Sequence, residues 1–321
     1  MKNAGIDIGF GYVKATDGRE KVIVPSVVGE GRNIRYSTGM NVKCNLDNLQ
    51  LQTNGKKYFI GSLARRQSEM ILSTLSRDRV GSTENAILFY TTLGLLCGQK
   101  ENVNVVTGLP VSEYSDDLKG QLIDQLSGKH EFKLNSQTYG INVNQVKVIP
   151  QPLGTLFTEL LTEHGKILSP EYTEIKVGII DIGHRTSDFV VADKLDYIDR
   201  LSTTSETALS TAYKYIAREL NDKYGVNVTL QQIPELAETK TFNDDNIFGL
   251  VSNAHQFAAS KIVSEVQSLW DVWSLEKILL TGGGGSALHK YINEKIEDVE
   301  LVTNSQLSNV RGFFKVAQRK W

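Results

Sequence analysis

Two stretches of the chain begin alike. DIGFGYVKAT runs from Asp7 to Thr16 and DIGHRTSDFV from Asp181 to Val190, and each follows an apolar run. A strand that ends in Asp, turns at Gly and leaves at once as a second strand exposes backbone N–H groups at the hairpin tip. Groups converging in such a turn can cradle phosphate oxygens. The Asp carboxylate repels phosphate, so a divalent cation has to sit between them. Mg²⁺ suits this arrangement, because it keeps several waters and takes one or two carboxylates. Asp7 and Asp181 are therefore the candidate Mg²⁺ ligands, one from each stretch, and Lys14 adds a positive charge one strand-length away, on the β- and γ-phosphate side. A single D-x-G hairpin is equally the pattern of an ordinary turn. Two copies, each heading a similar run of strands, are harder to explain that way.

Two further segments carry chemistry. LLTGGGGSAL (279–288) reads as a strand, four glycines and a helix. Glycines allow a planar ring or a phosphate to approach the backbone, and a helix N-terminus favours negative charge; the bland alternative is a loop without a ligand. The run is no Walker A loop, since Gly-Lys-Ser/Thr does not follow, and the first strand is not followed by GxGxxG, which disfavours a dinucleotide-binding unit. In KVIPQPLGTLF (147–157) a strand ends in Pro150-Gln151-Pro152 and enters a helix. Gln151 can orient an attacking water without being a strong base, as glutamine does in small GTPases; it can equally be a helix-start residue between two structural prolines.

The elements that must position these residues alternate. Residues 3–8, 11–16 and 21–27 read as a meander of short strands, followed by a strand running into a helix start at 56–64, a helix at 83–98 and a strand at 102–110. Ser112 is expected to cap a helix through Leu126, and a hairpin-like segment (131–143) precedes the strand QVKVIP and a helix from Pro152 to about His164. The second half starts afresh with three strands, IKVGIIDIG, TSDFVVAD and YIDRLSTT. A helix over 205–224, a polar stretch (227–246), a helix over 247–270 with its apolar residues toward the core, the glycine-run strand, a helix over 286–296, a strand over 298–303 and a helical tail complete it. Each half thus opens on D-x-G plus a meander and continues with helices, an internal duplication of architecture. The reading gives an α/β chain of two domains, 1–160 plus 304–321 and 161–303, with the tail packing back on the first.

Composition narrows the classes. The 321 residues contain 40% hydrophobic and 22% charged residues with a net charge of −2, as expected of a soluble globular chain with no general affinity for nucleic acid or membrane. Two cysteines, Cys44 and Cys97, are too few for a disulfide framework or a zinc site and suit a reducing cytoplasm. The N-terminus lacks the apolar core of a signal peptide, so a cytoplasmic location is expected. The basic pair and apolar stripe in 62–79 read as a solvated helix or a subunit contact.

The ordered set resembles the actin-like ATPases of the actin, heat-shock-chaperone and sugar-kinase superfamily. DIGFGYVK is similar to the first phosphate loop, VIPQP to the first connecting segment, GIIDIGHRTSDFVV to the second phosphate loop and ILLTGGGG to the adenosine motif. VVTGLPVSEY, DIGHRTSDFVV and NVRGFFKVA more closely resemble the plasmid-segregation actin-like proteins of the ParM type and their archaeal relatives. The resemblance implies a duplicated actin-like (ribonuclease-H-like) fold whose two domains flank a nucleotide cleft. It implies ATP, or GTP, with Mg²⁺ in that cleft, and filaments that nucleotide binding builds and hydrolysis destabilises. The partners implied are further copies of the chain and a DNA-binding adaptor protein, with no direct nucleic-acid contact and no membrane.

Carried onto this sequence, the resemblance makes Asp7 and Asp181 the metal-shell aspartates and Gln151 the residue that orients the hydrolytic water. Gly9, Phe10, Gly11, Tyr12 and Lys14 fall in the first phosphate loop, Gly183, His184, Arg185 and Thr186 in the second. Gly282, Gly283 and Gly284 match the adenine-side loop, and Arg218 and Asp222 fall near adenosine-contacting positions. The departure is at His184-Arg185, where relatives often carry glycines. His184 is either a phosphate ligand or acid/base group, or a residue that caps the hairpin; Arg185 can pair with Asp188, with a first-domain carboxylate or with phosphate. A small-molecule kinase of the superfamily would need a carboxylate base facing an acceptor pocket, and no separate Asp-containing sugar motif is present. A chaperone-like ATPase would need a peptide-binding domain beyond these two.

Overall fold

The first strand, β1 (Lys2–Ile8), buries Ala4, Gly5, Ile6 and Asp7 in succession, the pattern of a strand covered on both faces. The computed structural model describes residues 1–34, 46–72, 80–230 and 232–321; Cys44 and residues 73–79 of the basic stretch lie outside them. Contacts gather these residues into two units, Met1–Ser169 with Asn309–Trp321, and Pro170–Ser308.

In the first unit β1 is followed by β2 (Tyr12–Thr16), β3 (Lys21–Pro25), β4 (Val28–Glu30), β5 (Leu49–Thr53), β6 (Lys56–Ile60), α1 (Ser62–Gln67), β7 (Ile71–Leu72), α2 (Thr83–Leu96), β8 (Asn102–Leu109), α3 (Asp116–Leu126), β9 (Gly128–Leu134), β10 (Gln137–Pro150) and α4 (Leu153–Leu160). The strands form a sheet in the order β3-β2-β1-β8-β10-β9-β5-β6-β4-β7. β1, β2 and β3 are the expected antiparallel meander, while β1, β8 and β10 run parallel. The register of β10 on β8 shifts between Val143 and Gln145. A bulge of that kind bends a long strand, so β10 serves β9 with its first half and β8 with its second.

The helices here start later or stop sooner than the sequence suggested. Ser115, not Ser112, caps α3 by accepting from the Leu118 N–H, because a 3₁₀ turn over Val111–Glu113 comes first. α4 stops at Leu160 because Leu161 pairs with Ile167 around a turn that contains Gly165 at φ +69°. The residues 161–169 therefore stay with the first unit, and the chain crosses to the second at Ser169/Pro170.

The second unit contains β11 (Lys176–Ile182), β12 (Ser187–Asp193), β13 (Asp196–Tyr197), β14 (Thr203–Ser205), α5 (Leu209–Tyr224), α6 (Ile233–Thr239), β15 (Thr241–Phe242), β16 (Asp245–Asn246), α7 (Phe248–Leu269), β17 (Lys277–Thr281), α8 (Gly283–Asn293) and β18 (Val299–Leu301). Its main sheet has the order β13-β12-β11-β17-β18, with β14 on β12. The antiparallel pair β11–β12 beside a parallel β17 repeats the relation of β1–β2 to β8. α5 starts at Leu209, after residues 203–205 have paired with β12, and the polar stretch holds α6 and the hairpin β15–β16. The expectation that the aromatic residues of α7 are core fails for Phe257, which is exposed under Lys261, whereas Val251, Ile262, Val266 and the C-cap residue Trp270 are buried.

The last helix, α9 (Ser308–Lys320), returns to the first unit. Val310, Phe313, Phe314, Val316 and Ala317 are buried there, and each large apolar side chain so placed contributes about 1.5–3 kcal/mol. The buried ammonium of Lys315 donates to the carbonyls of Thr158 (2.7 Å) and Leu161 (2.6 Å), satisfying the C-terminal end of α4. The Ser308 hydroxyl bonds the Ser305 carbonyl at 2.9 Å within the second unit, and the next residue, Asn309, accepts from Thr155 Oγ1 at 2.8 Å within the first.

Candidate functional site

In the first unit Asp7, buried, is the last residue but one of β1, and the turn Gly9-Phe10-Gly11 returns the chain to β2. Gly9 N–H donates to the Tyr12 carbonyl at 3.1 Å, which closes the tip. Asp7 stands opposite Lys14 in register, and the two form an ion pair at 3.6 Å. Gln151, at the junction of β10 and α4, donates from Nε2 to Asp7 Oδ1 at 2.9 Å. Lys14, from the same hairpin, and Gln151, distant in sequence, thus converge on the Asp7 carboxylate. Phe10 and Gly11 are half-buried at the tip, and Tyr12 is exposed. Ser26 was not singled out from sequence, yet it buttresses the tip: its hydroxyl donates to the Gly9 carbonyl at 2.6 Å and its N–H to the Gly11 carbonyl at 3.0 Å. A serine directly after the VIVP strand was its only signal.

The second unit builds the same tip. Gly183 N–H donates to the Thr186 carbonyl at 2.9 Å, so His184-Arg185 occupies the place of Phe10-Gly11. None of these four residues has a positive φ. The turn therefore needs no glycine at its centre, and this is why His-Arg is accommodated there. A Cβ on Gly9 or Gly183 would come within 2.9 Å of the carbonyl it faces, which accounts for glycine at the first position in both. The carbonyl of His184 accepts from the Ser210 N–H at 2.9 Å at the start of α5, and its ring lies 5.8 Å from that of Tyr213. Asp181 stands opposite Asp188, where the first hairpin has Lys14; Asp188 accepts from the Thr204 hydroxyl.

The four glycines divide in role. Helix α8 starts inside the run, at Gly283 rather than after it, with Gly282 as the residue before it at φ +84°. A Cβ on Gly282 would lie 2.2 Å from the Ile182 carbonyl oxygen and 2.4 Å from Asp181 Oδ1, and one on Gly284 would lie 2.5 Å from Ile182 Cγ2. Gly282 and Gly284 thus bring the helix N-terminus against the second hairpin. A Cβ on Gly283 would meet nothing within 4 Å, so packing does not account for that glycine. Below the run, Thr281 Oγ1 donates to the Ser305 carbonyl at 3.1 Å and also contacts the Ser308 hydroxyl. Arg218 and Asp222 lie on an exposed face of α5, where Arg218 pairs with Glu219 at 2.9 Å and covers Tyr215 at 5.2 Å. Among the described residues, neither is joined to the hairpin or to the glycines by a hydrogen bond or ring contact.

In the second unit the hairpin and the helix start lie together. Helix α8 begins at Gly283, where an added Cβ would meet nothing within 4 Å, and a helix N-terminus carries the positive end of the helix dipole. Among the described residues no three His, Cys, Asp or Glu side chains gather into a metal cage. Among the described residues no helix is long and apolar enough to cross a membrane.

Two family models match the sequence, the actin-like proteins N-terminal domain over residues 5–154 and the archaeal actin homologue MreB-like C-terminal domain over residues 179–294. No curated protein sequence matches. Among solved structures, a 15-stranded ParM filament from Clostridium botulinum is 25% identical, covers 99% of each chain and superposes with a TM-score of 0.81. The archaeal actin homologue Ta0583 in complex with ADP is 18% identical over 100% of both chains, with a TM-score of 0.81. Bacillus thuringiensis ParM with AMPPNP is 15% identical, covers 99% of this chain and 98% of its own, and has a TM-score of 0.76.

Proposed function

With this chain an actin-like protein, its two-domain actin-like fold made of an actin-like N-terminal domain and an archaeal MreB-like C-terminal domain, we propose that it is a filament-forming ATPase driven by nucleotide. The observation that carries this is the repeated hairpin. Each unit places Asp last but one in a buried strand, closes a tip of equal length by the same backbone hydrogen bond, and sets a helix start nearby, α4 in the first and α8 in the second. ATP would take phosphate contacts from both tips, with its adenosine on the Gly282–Gly284 side. Structures of relatives with ADP and with AMPPNP support the nucleotide, and the ParM filament supports self-assembly.

In this reading each residue has one task. Asp7 and Asp181 hold Mg²⁺, which when bound neutralises charge on the β- and γ-phosphates. Lys14 pairs with Asp7 at 3.6 Å and adds positive charge beside it. Gln151 gives its amide N–H to Asp7 and so keeps its carbonyl oxygen for a water, which that oxygen orients by accepting one of its protons. Hydrolysis would then loosen the filament. With a net charge of −2 the chain is a poor direct ligand for DNA, so a role in plasmid or DNA segregation in the cytoplasm would run through an adaptor protein.

Sedimentation and light scattering with ATP and Mg²⁺, together with phosphate release, test the reading. Pelleting that requires nucleotide and reverses as phosphate accumulates is the expected result. A chain that remains monomeric and transfers the γ-phosphate to a sugar or acid would overturn it in favour of a kinase.

A further inference from the structure

We infer that Phe313, on a helix that takes no part in the phosphate chemistry, is the positioning residue that sets the height of Gln151. The inference rests on Gln151 being the water-orienting residue. Phe313 is fully buried in the first unit, and it lies against glycines from three separate elements. A Cβ on Gly5 of β1 would be 3.0 Å from Phe313 Cβ, one on Gly108 of β8 would be 2.6 Å from its Cζ, and one on Gly154 of α4 would be 2.7 Å from its Cε1. On all three sides the neighbour is main chain, with no side chain between to absorb a change.

Gln151 shares that space. The same Cβ on Gly108 would lie 2.9 Å from Gln151 Cα and 3.1 Å from Gln151 Cβ. Gln151 N–H donates to the Leu109 carbonyl at 2.8 Å, and Gly154 N–H donates to the Gln151 carbonyl at 3.1 Å. The backbone of Gln151 is thereby tied to the end of β8 and the start of α4, the two surfaces that the Phe313 ring touches. α9 is itself fixed against α4, since Thr155 Oγ1 donates to Asn309 Oδ1 and a Cβ on Gly312 would lie 1.7 Å from the Gly154 carbonyl oxygen. The ring cannot back away, so its size sets how closely β8 and α4 approach. That spacing decides where the Gln151 amide stands relative to Asp7. Interiors are packed densely enough to transmit a missing ring as a shift of their neighbours, and a misplacement of about 1 Å in a positioning group costs up to about a hundredfold in rate.

The experiment is a double-mutant cycle on the full chain, read as steady-state phosphate release from ATP with Mg²⁺. Phe313→Leu should lower kcat about tenfold with the KM for ATP unchanged, and should have no further effect in a Gln151→Ala background, because it acts through that residue. Phe89→Leu, at a fully buried ring of α2, serves as the stability control and should leave kcat at the wild-type value. If Phe313→Leu does not fold, Phe313→Met is measured in its place. Wild-type kcat in the Phe313 variant, an equal fall in both backgrounds, or the same fall in Phe89→Leu would overturn the inference while leaving Gln151 its role. An unchanged rate in Gln151→Ala alone would overturn the assignment of Gln151 and this inference with it.

Discussion

Gln151 Nε2 donates to Asp7 Oδ1 at 2.9 Å, so the acid that would hold the metal also fixes which end of the amide faces outward. Removing the amide should leave the nucleotide contacts in place and take away the acceptor for the water. Gln151→Ala is expected to slow phosphate release about tenfold to a hundredfold while assembly continues, giving longer-lived filaments by pelleting over time. Equal turnover in variant and wild type would remove Gln151 from the mechanism.

Asp181→Ala should abolish the Mg²⁺ dependence of hydrolysis, because the second hairpin loses the carboxylate proposed for the metal shell. A Mg²⁺ titration of phosphate release checks this. A variant whose half-maximal Mg²⁺ concentration matches the wild type would count against Asp181 as a ligand.

Gly282 and Gly283 are neighbours with opposite expectations. Alanine at Gly282 meets the Ile182 carbonyl and Asp181 Oδ1 and is held at a positive φ, a conformation that costs an L-residue about 1–2 kcal/mol before any clash. Gly282→Ala should lower the melting temperature and nucleotide affinity together. Alanine at Gly283 meets nothing, and alanine in a helix is favoured over glycine by up to about 1 kcal/mol. Gly283→Ala should leave the melting temperature equal or higher while weakening nucleotide binding, because the methyl group occupies the ligand's side. Unchanged affinity in a stable Gly283→Ala protein would place the nucleotide elsewhere.

Acid stability should depend on Asp17, far from the hairpin tips. Its carboxylate accepts from the N–H groups of Arg19 (2.9 Å) and Glu20 (2.7 Å) and pairs with Lys2 at 3.0 Å. Burial acts to raise its pKa, but the Glu20 N–H, the Lys2 ammonium and the Arg19 N–H outweigh it and hold the group below the ordinary value of 3.8. A folded-state pKa below that of the unfolded chain stabilises fully above the unfolded value and is lost as pH falls through the folded one. Asp17→Asn should be less stable than wild type in urea at pH 7, and the gap should close as pH drops below about 4. A gap that stays constant from pH 7 to pH 3 would show that the carboxylate's charge is not involved.

The hairpins were legible in the sequence because everything they need is local: Asp at a strand end, Gly at the turn, apolar residues on either side. The elements that hold them were not. Four adjacent glycines suggested a loop, whereas three of them open α8, because close packing on Ile182 outweighs their poor helix propensity. The centre of the second hairpin seemed to require glycine, and its backbone shows that it does not. Phe257 carried the helical spacing of a core residue but faces outward, where the Lys261 ammonium stands 5.0 Å from its ring centre. Least legible were Gly5, Gly108 and Gly154, single glycines with no common motif. What joins them is one phenylalanine more than 150 residues further along the chain, a relationship that periodicity and local turns do not encode.

The placement of α9 also fixes an order of events during synthesis. The second unit is continuous, Pro170–Ser308, and leaves the ribosome whole before Asn309–Trp321, which the first unit still lacks. Domains generally fold as they emerge, the N-terminal one first. Here the first domain to appear is the last to be finished: its sheet can form early, but the gap bordered by Gly5, Gly108 and Gly154 stays open until Phe313 arrives. A nascent chain can therefore present both hairpin tips before it has a settled Gln151. Competence to hydrolyse would then be reached only when α9 docks, after the chain has been made through both units.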